Sequence, residues 1–197
     1  MGTTFDPSLP PPSTHESDCP FCAIASAHPP YNPSQPPASI PSDLTTPASF
    51  VVLSTPTLMA FLDILPLSYG HVLLCTRTHR PKLTDVSPSE ARDLGGYLRL
   101  LSAALVRTTG VADWNVVQNN GAAAAQVVPH IHYHLIPRPE LRASGRFRSS
   151  FTMFGRGQRE ELDEELAEPL AEELRKQIAL ILKEDKDAED AKTKHRL

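Results

Sequence analysis

One stretch of the sequence, His130-Ile131-His132-Tyr133-His134, decides how this 197-residue chain is interpreted. Successive side chains of a β-strand point to opposite faces of the sheet, so histidines at alternate positions of a strand share one face. Histidine is a poor filler of a buried face, but it serves as a nucleophile, acid, base or metal ligand near neutral pH. The alternation therefore predicts a strand whose histidine face carries out chemistry.

The residues upstream of the histidines extend this pattern. A candidate strand, Trp114–Gln118, is followed by Asn119-Asn120-Gly121 and then by Gln126-Val127-Val128-Pro129, which leads into His130. Together with the seven residues from His130, which match the motif HxHxHxx, these segments resemble the histidine triad (HIT) family. The resemblance covers roughly residues 19 to 140 and includes the ungapped spacing from Asn119 to His132.

Composition and charge exclude several classes of protein. The formal net charge of -4 and the isoelectric point near 6.0 provide no broad basic field, so we expect no bulk binding of nucleic acid. A small phosphorylated ligand fits better, and the resemblance implies a purine nucleotide. No apolar run reaches the roughly 18 to 20 residues of a membrane span, and the first residues lack a secretory signal. The sequence predicts an intracellular protein, cytoplasmic with the nucleus as an alternative, and no membrane partner.

The sequence divides into one domain with extensions. Residues 1–16 are rich in Pro, Ser and Thr and are predicted to be a disordered tail. Residues 17–140 form the predicted HIT domain, in which the proline-dense residues 28–47 are expected to be a long loop. Residues 141–183 form a C-terminal extension with a helix predicted at about 158–182, and residues 184–197 are predicted to be a solvated, partly disordered charged tail.

Hydrophobic patterning predicts the elements of an α+β domain. Residues 50–53, 58–64 and 71–77 read as three antiparallel strands. Ser87-Pro88-Ser89-Glu90 has the form of a capping box and opens an amphipathic helix that Gly110 ends. Leucines recur along this helix at helical spacing, at positions Leu94, Leu98, Leu101 and Leu105. With the strand at 114–118 and the histidine strand, the pattern predicts an antiparallel sheet of about five strands, a long helix packed on it and an added C-terminal helix. The resemblance implies that this is the HIT-like fold.

The resemblance implies the catalytic residues. His132 would attack the α-phosphorus of an adenylate compound and form a nucleotidyl-histidine intermediate, which water then hydrolyses. Imidazole suits this role because it is nucleophilic when neutral at pH 7 and its phosphorylated nitrogen is a good leaving group. His134 would contact the phosphate oxygens or assist the leaving group, and His71 would lie beside the phosphate.

The resemblance also implies a nucleotide subsite. Its carboxylate would accept hydrogen bonds from the ribose hydroxyls, its apolar side chains would contact the base, and its two amides would donate to the phosphate or the leaving group. A glycine would let the loop turn close to the ligand. The residues in question are Asp63, Phe61, Ile64, Asn119, Gln126 and Gly121.

Two departures from the family pattern leave the substrate open. Ala125 and Val127 occupy places where the family usually has Gly and Ser or Thr, so one hydroxyl contact to phosphate is missing. The ending Ile136-Pro137-Arg138 also occurs in dinucleotide-hydrolysing members. The sequence favours a nucleoside phosphoramidase that cleaves a P–N bond, with a dinucleoside polyphosphate hydrolase or a catalytically weak nucleotide-binding protein as alternatives. An enzyme with one catalytic metal on His130, His132 and His134 is disfavoured, because the other family matches would then be coincidence.

Cys19-Pro20-Phe21-Cys22 provides half of a zinc site. The resemblance to zinc-bearing members of the family supplies His79 and His130 as the other two ligands of a structural Zn²⁺, and metal-free reduced thiols are the alternative. Cys75 is expected to be a small core residue. No specific role is expected for the remaining histidines, His15, His28 and His195.

The resemblance also implies a homodimer formed through the long helix and a strand.

Overall fold

The computed structural model describes residues 16–139 and 161–194. The disorder predicted for residues 1–16 lies outside this part of the chain except at Glu16, which begins a short 3₁₀ helix, Glu16–Asp18, and residues 195–197 of the predicted charged tail also lie outside it. Within it, none of the helices is both long enough and apolar enough to cross a membrane.

A single five-stranded sheet forms the centre of the molecule. Its strands are β1 (Val51–Ser54), β2 (Leu58–Leu62), β3 (Val72–Thr76), β4 (Trp114–Gln118) and β5 (His132–Pro137). Their order is β1-β2-β3-β5-β4, and all four neighbouring pairs are antiparallel. The predicted sheet is confirmed. Because β5 lies between β3 and β4, the histidine strand is internal and its register is held on both sides.

Both faces of the sheet are covered in its first three strands. In β2, Leu58, Ala60 and Leu62 pack into one core with the helices α2 (Pro88–Thr109) and α3 (Glu164–Lys194). Met59 and Phe61 face the other way, into a second core that includes residues of the short helix α1 (Pro20–Ala27). Cys75 is fully buried in this second core, as predicted, and burial raises the pKa of its thiol.

Helix α2 begins and ends as the sequence predicts. The hydroxyl of Ser87 accepts a hydrogen bond from the backbone N–H of Glu90 at 3.2 Å, and the Glu90 carboxylate accepts one from the N–H of Ser87 at 2.8 Å. Gly110 ends the helix in the left-handed region, with φ of 68°. Local sequence therefore determines both ends of the helix that covers the sheet.

Helix α3 differs from its sequence-based prediction. It begins at Glu164 and continues to Lys194, so the predicted end at residue 182 is wrong and residues 184–194 are helical. Two ion pairs join this part to α2: Arg99 Nη2 lies 3.0 Å from Asp185, and Arg107 Nη2 lies 2.7 Å from Glu184. Each exposed ion pair of this kind contributes little to the free energy of unfolding. They are formed by residues far apart in the sequence, which local patterning does not reveal.

His28 also differs from its prediction, because it has a structural role. Its side chain is buried, and its Nε2 lies 2.9 Å from the hydroxyl of Ser49. Its backbone carbonyl accepts a hydrogen bond from Arg77 at 2.9 Å, and Arg77 also donates to the carbonyl of Ala25 in α1. The start of the proline-dense loop is therefore attached to α1 and to the end of β3.

Candidate active site and metal centre

His132, the first residue of β5, has one ring nitrogen engaged by the backbone. Its Nδ1 lies 2.6 Å from the carbonyl oxygen of His130. A carbonyl oxygen can only accept a hydrogen bond, so Nδ1 carries the proton and, in the neutral ring, Nε2 carries the lone pair. The buried ring is thus held in the tautomer in which Nε2 can act as a nucleophile.

His71 and His134 form a hydrogen-bonded pair whose proton positions also follow from the backbone. The N–H of Leu67 donates to His71 Nδ1 at 3.1 Å, so the proton of a neutral His71 is on Nε2. This Nε2–H donates to Nδ1 of His134, 3.0 Å away. The proton of a neutral His134 is then on its own Nε2. His134 lies next to His132, with ring centroids 4.8 Å apart, and can therefore donate a hydrogen bond to a bound phosphate or leaving group.

Asp63 brings a negative charge to this histidine pair. It follows β2 directly, is buried, and accepts a hydrogen bond from the N–H of Leu65 at 2.9 Å. Its Oδ2 lies 3.5 Å from His71 Nδ1 and 3.9 Å from His134 Nδ1. A carboxylate at this distance stabilises positive charge that develops on His134.

Asp63, His71 and His134 do not form a convincing metal site, although their ligand-type atoms lie within 4.8 Å of one another. His71 Nδ1 accepts a hydrogen bond from a backbone N–H, and its Nε2 therefore holds the ring proton. Coordination through Nε2 would require an imidazolate or a rearranged backbone. We interpret these residues as a proton and hydrogen-bonding network.

Phe21 forms a wall of the site and was missed by the sequence analysis. Its ring centroid lies 5.2 Å from that of His132 in an edge-to-face contact, and 5.2 Å from that of Phe61. Phe61 is buried, whereas the predicted neighbour Ile64 is 42% exposed. The available signal was the position of Phe21 between two cysteines, because a metal site that joins α1 to His130 also brings Phe21 to β5.

The loop after β4 contains the predicted amide ligands, but one amide is already occupied. Gln126 is buried; its Oε1 accepts from the N–H of Gly121 at 2.6 Å, and its Nε2 donates to the carbonyl of Pro81 at 2.7 Å. Gly121 has φ of 94°, which explains the glycine at this turn. Asn119 is half-buried at the start of the loop. In this structure Gln126 organises the loop, and contacts from Asn119 and Gln126 to phosphate remain predictions.

The two departures from the family pattern have visible structural consequences. Ala125 has φ of 61°, a left-handed conformation that costs a residue with a Cβ atom about 1 kcal/mol. This cost explains why glycine suits the position. Val127 is 70% exposed, so it presents an apolar surface where a hydroxyl would otherwise be available.

His130 lies outside β5, and the prediction that all three histidines belong to one strand is wrong for this residue. It follows Pro129, and its N–H donates to the carbonyl of Val128 at 2.8 Å in a turn. Its Nε2 lies 2.8 Å from the carbonyl of Thr76, so Nε2 carries the proton and Nδ1 carries the lone pair. This Nδ1 points to the cysteine thiols, which contradicts a single metal shared by the three histidines.

Cys19, Cys22, His79 and His130 converge as the sequence analysis expected. His130 Nδ1 lies 3.3 Å from Cys19 Sγ and 3.5 Å from Cys22 Sγ, and His79 Nδ1 lies 3.3 Å from Cys22 Sγ. Tetrahedral zinc bonded to one sulfur and one nitrogen separates these two atoms by about 3.6 Å. The donor set and its spacing therefore fit Zn²⁺, and the Thr76 carbonyl orients the His130 ring as outer partners of metal ligands commonly do.

Burial disfavours the charged forms of two of these ligands when no metal is bound. It lowers the pKa of His130 to about 4 and raises the pKa of Cys22 to about 12. His130 also connects the two sites: its side chain faces the thiols, and its carbonyl accepts the Nδ1–H of His132. The candidate metal centre and the candidate nucleophile are thus adjacent along the backbone.

The internal strand β5 presents a histidine of fixed tautomer, His132, beside the hydrogen-bonded pair of His71 and His134, and comparison with known proteins specifies the family. Residues 45–141 match the family model of the HIT domain. The chain is 34% identical over 128 residues to an adenylylsulfatase of Arabidopsis thaliana, covering 65% of this chain and 56% of that protein. It is 33% identical over 132 residues to an adenosine 5'-monophosphoramidase of Saccharomyces cerevisiae, covering 67% and 70%. This chain belongs to the histidine triad family.

A solved structure supports the fold. A zinc-bound histidine triad family protein from Mycobacterium smegmatis aligns with a TM-score of 0.59 and 24% identity, over 85% of this chain and 97% of that one. At this identity the likeness concerns the fold alone. The chain spans just over half the length of the Arabidopsis relative, 56%.

Proposed function

We propose that this protein hydrolyses adenylate compounds at the α-phosphate through a nucleotidyl intermediate on His132, and that it is a nucleoside phosphoramidase. The observation that carries the proposal is the 2.6 Å hydrogen bond from His132 Nδ1 to the carbonyl of His130, which leaves the Nε2 lone pair for attack. The two curated relatives described above, an adenosine 5'-monophosphoramidase and an adenylylsulfatase, support an adenylate substrate.

The reaction takes place in two steps. His132 Nε2 forms a bond to the α-phosphorus while the bond to the leaving group breaks, and the electron pair of that bond departs with the leaving group. His134, adjacent to His132 and within 3.9 Å of the Asp63 carboxylate, donates a hydrogen bond to a phosphate oxygen or a proton to the leaving group. Water then attacks the phosphorus, the P–N bond to His132 breaks, and AMP leaves.

The walls of the site are suited to a nucleoside. Phe21 and Phe61 supply an apolar surface for the base, and the proposed subsite also includes Ile64, which is 42% exposed. Asp63 supplies a carboxylate that can accept hydrogen bonds from the ribose hydroxyls. Asn119, Gln126 and Gly121 in the loop after β4 complete the phosphate side.

We assign Cys19, Cys22, His79 and His130 to a structural zinc site. When bound, zinc supplies four bonds that join α1, the segment after β3 and the turn before β5. The chain's own ligands leave no position for substrate, so the metal has a structural role. Thiol ligands stay reduced in the cytosol or nucleus, which agrees with an intracellular location.

A panel of substrates tests the proposed function. We expect release of AMP from adenosine 5'-phosphoramidate with a higher kcat/KM than from diadenosine tri- or tetraphosphate, because the Saccharomyces cerevisiae relative that this chain covers to 70% is an adenosine 5'-monophosphoramidase. AMP release is measured by chromatography at fixed ionic strength. Preference for the dinucleotides would favour the hydrolase alternative. Binding of AMP without turnover of any of these substrates would leave a nucleotide-binding protein.

A second copy of the chain is the partner that we propose for the exposed face of α2 and β4. Strand β4 is an edge of the sheet, and Trp114 and Val116 on it are 39% and 46% exposed. Leu98 and Val106 of α2 line the same apolar groove. Exposed edges and aromatic side chains of this kind are commonly covered by pairing.

The dimer gives a direct prediction. The full chain of 21.6 kDa should have about twice this mass in solution, and Trp114→Glu should shift it to the monomer because a carboxylate would be buried in the interface. Light scattering after size exclusion measures both. Leu180→Glu, at a 49% exposed position on α3, is the matched control and should remain dimeric. A monomeric wild-type protein contradicts the proposal.

A further inference from the structure

Lys82 is an exposed cation beside the loop that follows β4, and the proposed mechanism does not use it. Its Cε and Nζ lie 3.6 and 3.7 Å from the position that a Cβ atom on Gly121 would occupy. Its side chain therefore lies along the surface of the loop that borders the phosphate side of the site.

The backbone around Lys82 is attached to the same loop. The carbonyl of Pro81 accepts from Gln126 Nε2 at 2.7 Å, and the N–H of Leu83 donates to Asn120 Oδ1 at 2.9 Å. Because the residues on both sides of Lys82 are hydrogen-bonded to this loop, its Cα is held at the loop even when the side chain moves.

Within residues 16–139 and 161–194, no ion pair neutralises the charge of Lys82. In the part of the chain that the structure describes, none of the salt bridges involves its ammonium group. Arg80, two residues earlier, is paired with Glu90 at 3.2 Å. The carboxylate of Asp85 accepts the backbone N–H of Lys82 at 2.9 Å. The ammonium of Lys82 can therefore interact with an anionic ligand.

The sheet order indicates which part of a substrate would meet Lys82. Asp63 follows β2 on one side of His132, and Asn119 follows β4 on the other side. Gln118 pairs with Tyr133, which places Asn119 at the level of His132. With the nucleoside at Asp63, the leaving group departs towards the loop after β4, beside Lys82.

We propose that Lys82 determines specificity for adenylates with an oxyanion leaving group, such as sulfate or phosphate. This inference rests on the proposed function. When His132 Nε2 attacks such a substrate, the P–O bond breaks and its electron pair stays on the leaving oxygen, which gains negative charge that a cation stabilises. A phosphoramidate nitrogen instead takes up a proton and leaves as a neutral amine, so it gains no such stabilisation.

The test is the ratio of kcat/KM for adenosine 5'-phosphosulfate to that for adenosine 5'-phosphoramidate. Lys82→Met should lower this ratio about tenfold, less than the loss of a buried oxyanion donor because the lysine is exposed and screened. Diadenosine tetraphosphate is a second substrate with an anionic leaving group. If Lys82 recognises charge, Lys82→Met should lower kcat/KM for this substrate, relative to the phosphoramidate, as much as for the phosphosulfate. Lys82→Arg should restore most of the ratio, and the effect should shrink as the salt concentration rises.

Lys186→Met, in the exposed end of α3, is the matched control and should leave the ratio unchanged. An unchanged ratio in Lys82→Met, or an equal loss on both substrates, would overturn the proposal. A wild-type protein that turns over neither substrate refutes the proposed function separately. The role of Lys82 is then tested by calorimetric binding to His132→Asn protein with and without Lys82→Met. If Lys82→Met weakens binding of the phosphosulfate more than binding of the phosphoramidate, the result supports the proposal. An equal effect on both ligands overturns it.

Discussion

His132→Asn is expected to lower kcat for release of AMP by a factor of at least about 10⁴, the scale seen when a covalent nucleophile is removed. Asparagine can keep a side-chain N–H towards the carbonyl of His130, which the histidine holds at 2.6 Å, but it has no nucleophilic nitrogen. The buried packing against Phe21 should therefore be perturbed less than the chemistry.

Two measurements separate this chemical effect from misfolding. Mass spectrometry of rapidly quenched wild-type protein should detect an acid-sensitive adenylyl group on the peptide that contains His132, and the variant should lack it. Thermal unfolding should show a folded variant. His134→Asn is the contrasting variant: it keeps Nε2 of His132, so it should react more slowly while still forming the label. Turnover by His132→Asn within tenfold of wild type would refute covalent catalysis through this residue.

Loss of the metal centre is expected to have the largest effect on stability. Cys19→Ser combined with Cys22→Ser should release zinc and lower Tm by about 10 °C or more. The site joins three segments, and structural zinc sites contribute about 10 to 16 kcal/mol in small zinc-finger peptides. We expect a smaller share here, a few kcal/mol, because the sheet has its own cores; each kcal/mol shifts Tm by about 2 to 4 °C in a domain of this size.

Metal content and Tm are measured on the same preparations. Wild-type protein should contain about one zinc per chain, and a strong chelator should lower its Tm towards that of the double variant. Cys75→Ala is the control, because Cys75 lies in the same core but is not one of the four converging ligands; it should retain zinc. A wild-type protein without metal, whose Tm the chelator leaves unchanged, would contradict the assignment.

Several features of the fold were predictable because short segments specify them. The capping box at Ser87 and the glycine at 110 set the ends of α2, and short apolar runs predicted β1, β2 and β3. The motif at 130–136 and the cysteine pair indicated the candidate catalytic and metal-ligating side chains. These signals are local, since they depend on backbone geometry and side-chain periodicity within a few residues.

Other features required the packed chain. Phe21 reaches His132 only because α1 is brought against β5, and the end of α3 is helical where it meets Arg99 and Arg107 of α2. His28 was assigned no role because nothing in its own segment shows that Arg77 would bind its carbonyl.

The sequence alone determined the class of fold and predicted His132 as the candidate nucleophile and the four candidate zinc ligands. The tertiary structure decided the tautomers of His132 and His134, the hydrogen bond between the Gln126 side chain and the loop backbone, and the position of Lys82 beside Gly121. The physical reason is that a residue type sets which chemistry is available. Protonation, orientation and neighbours depend on carbonyl and N–H groups that folding brings from distant parts of the chain.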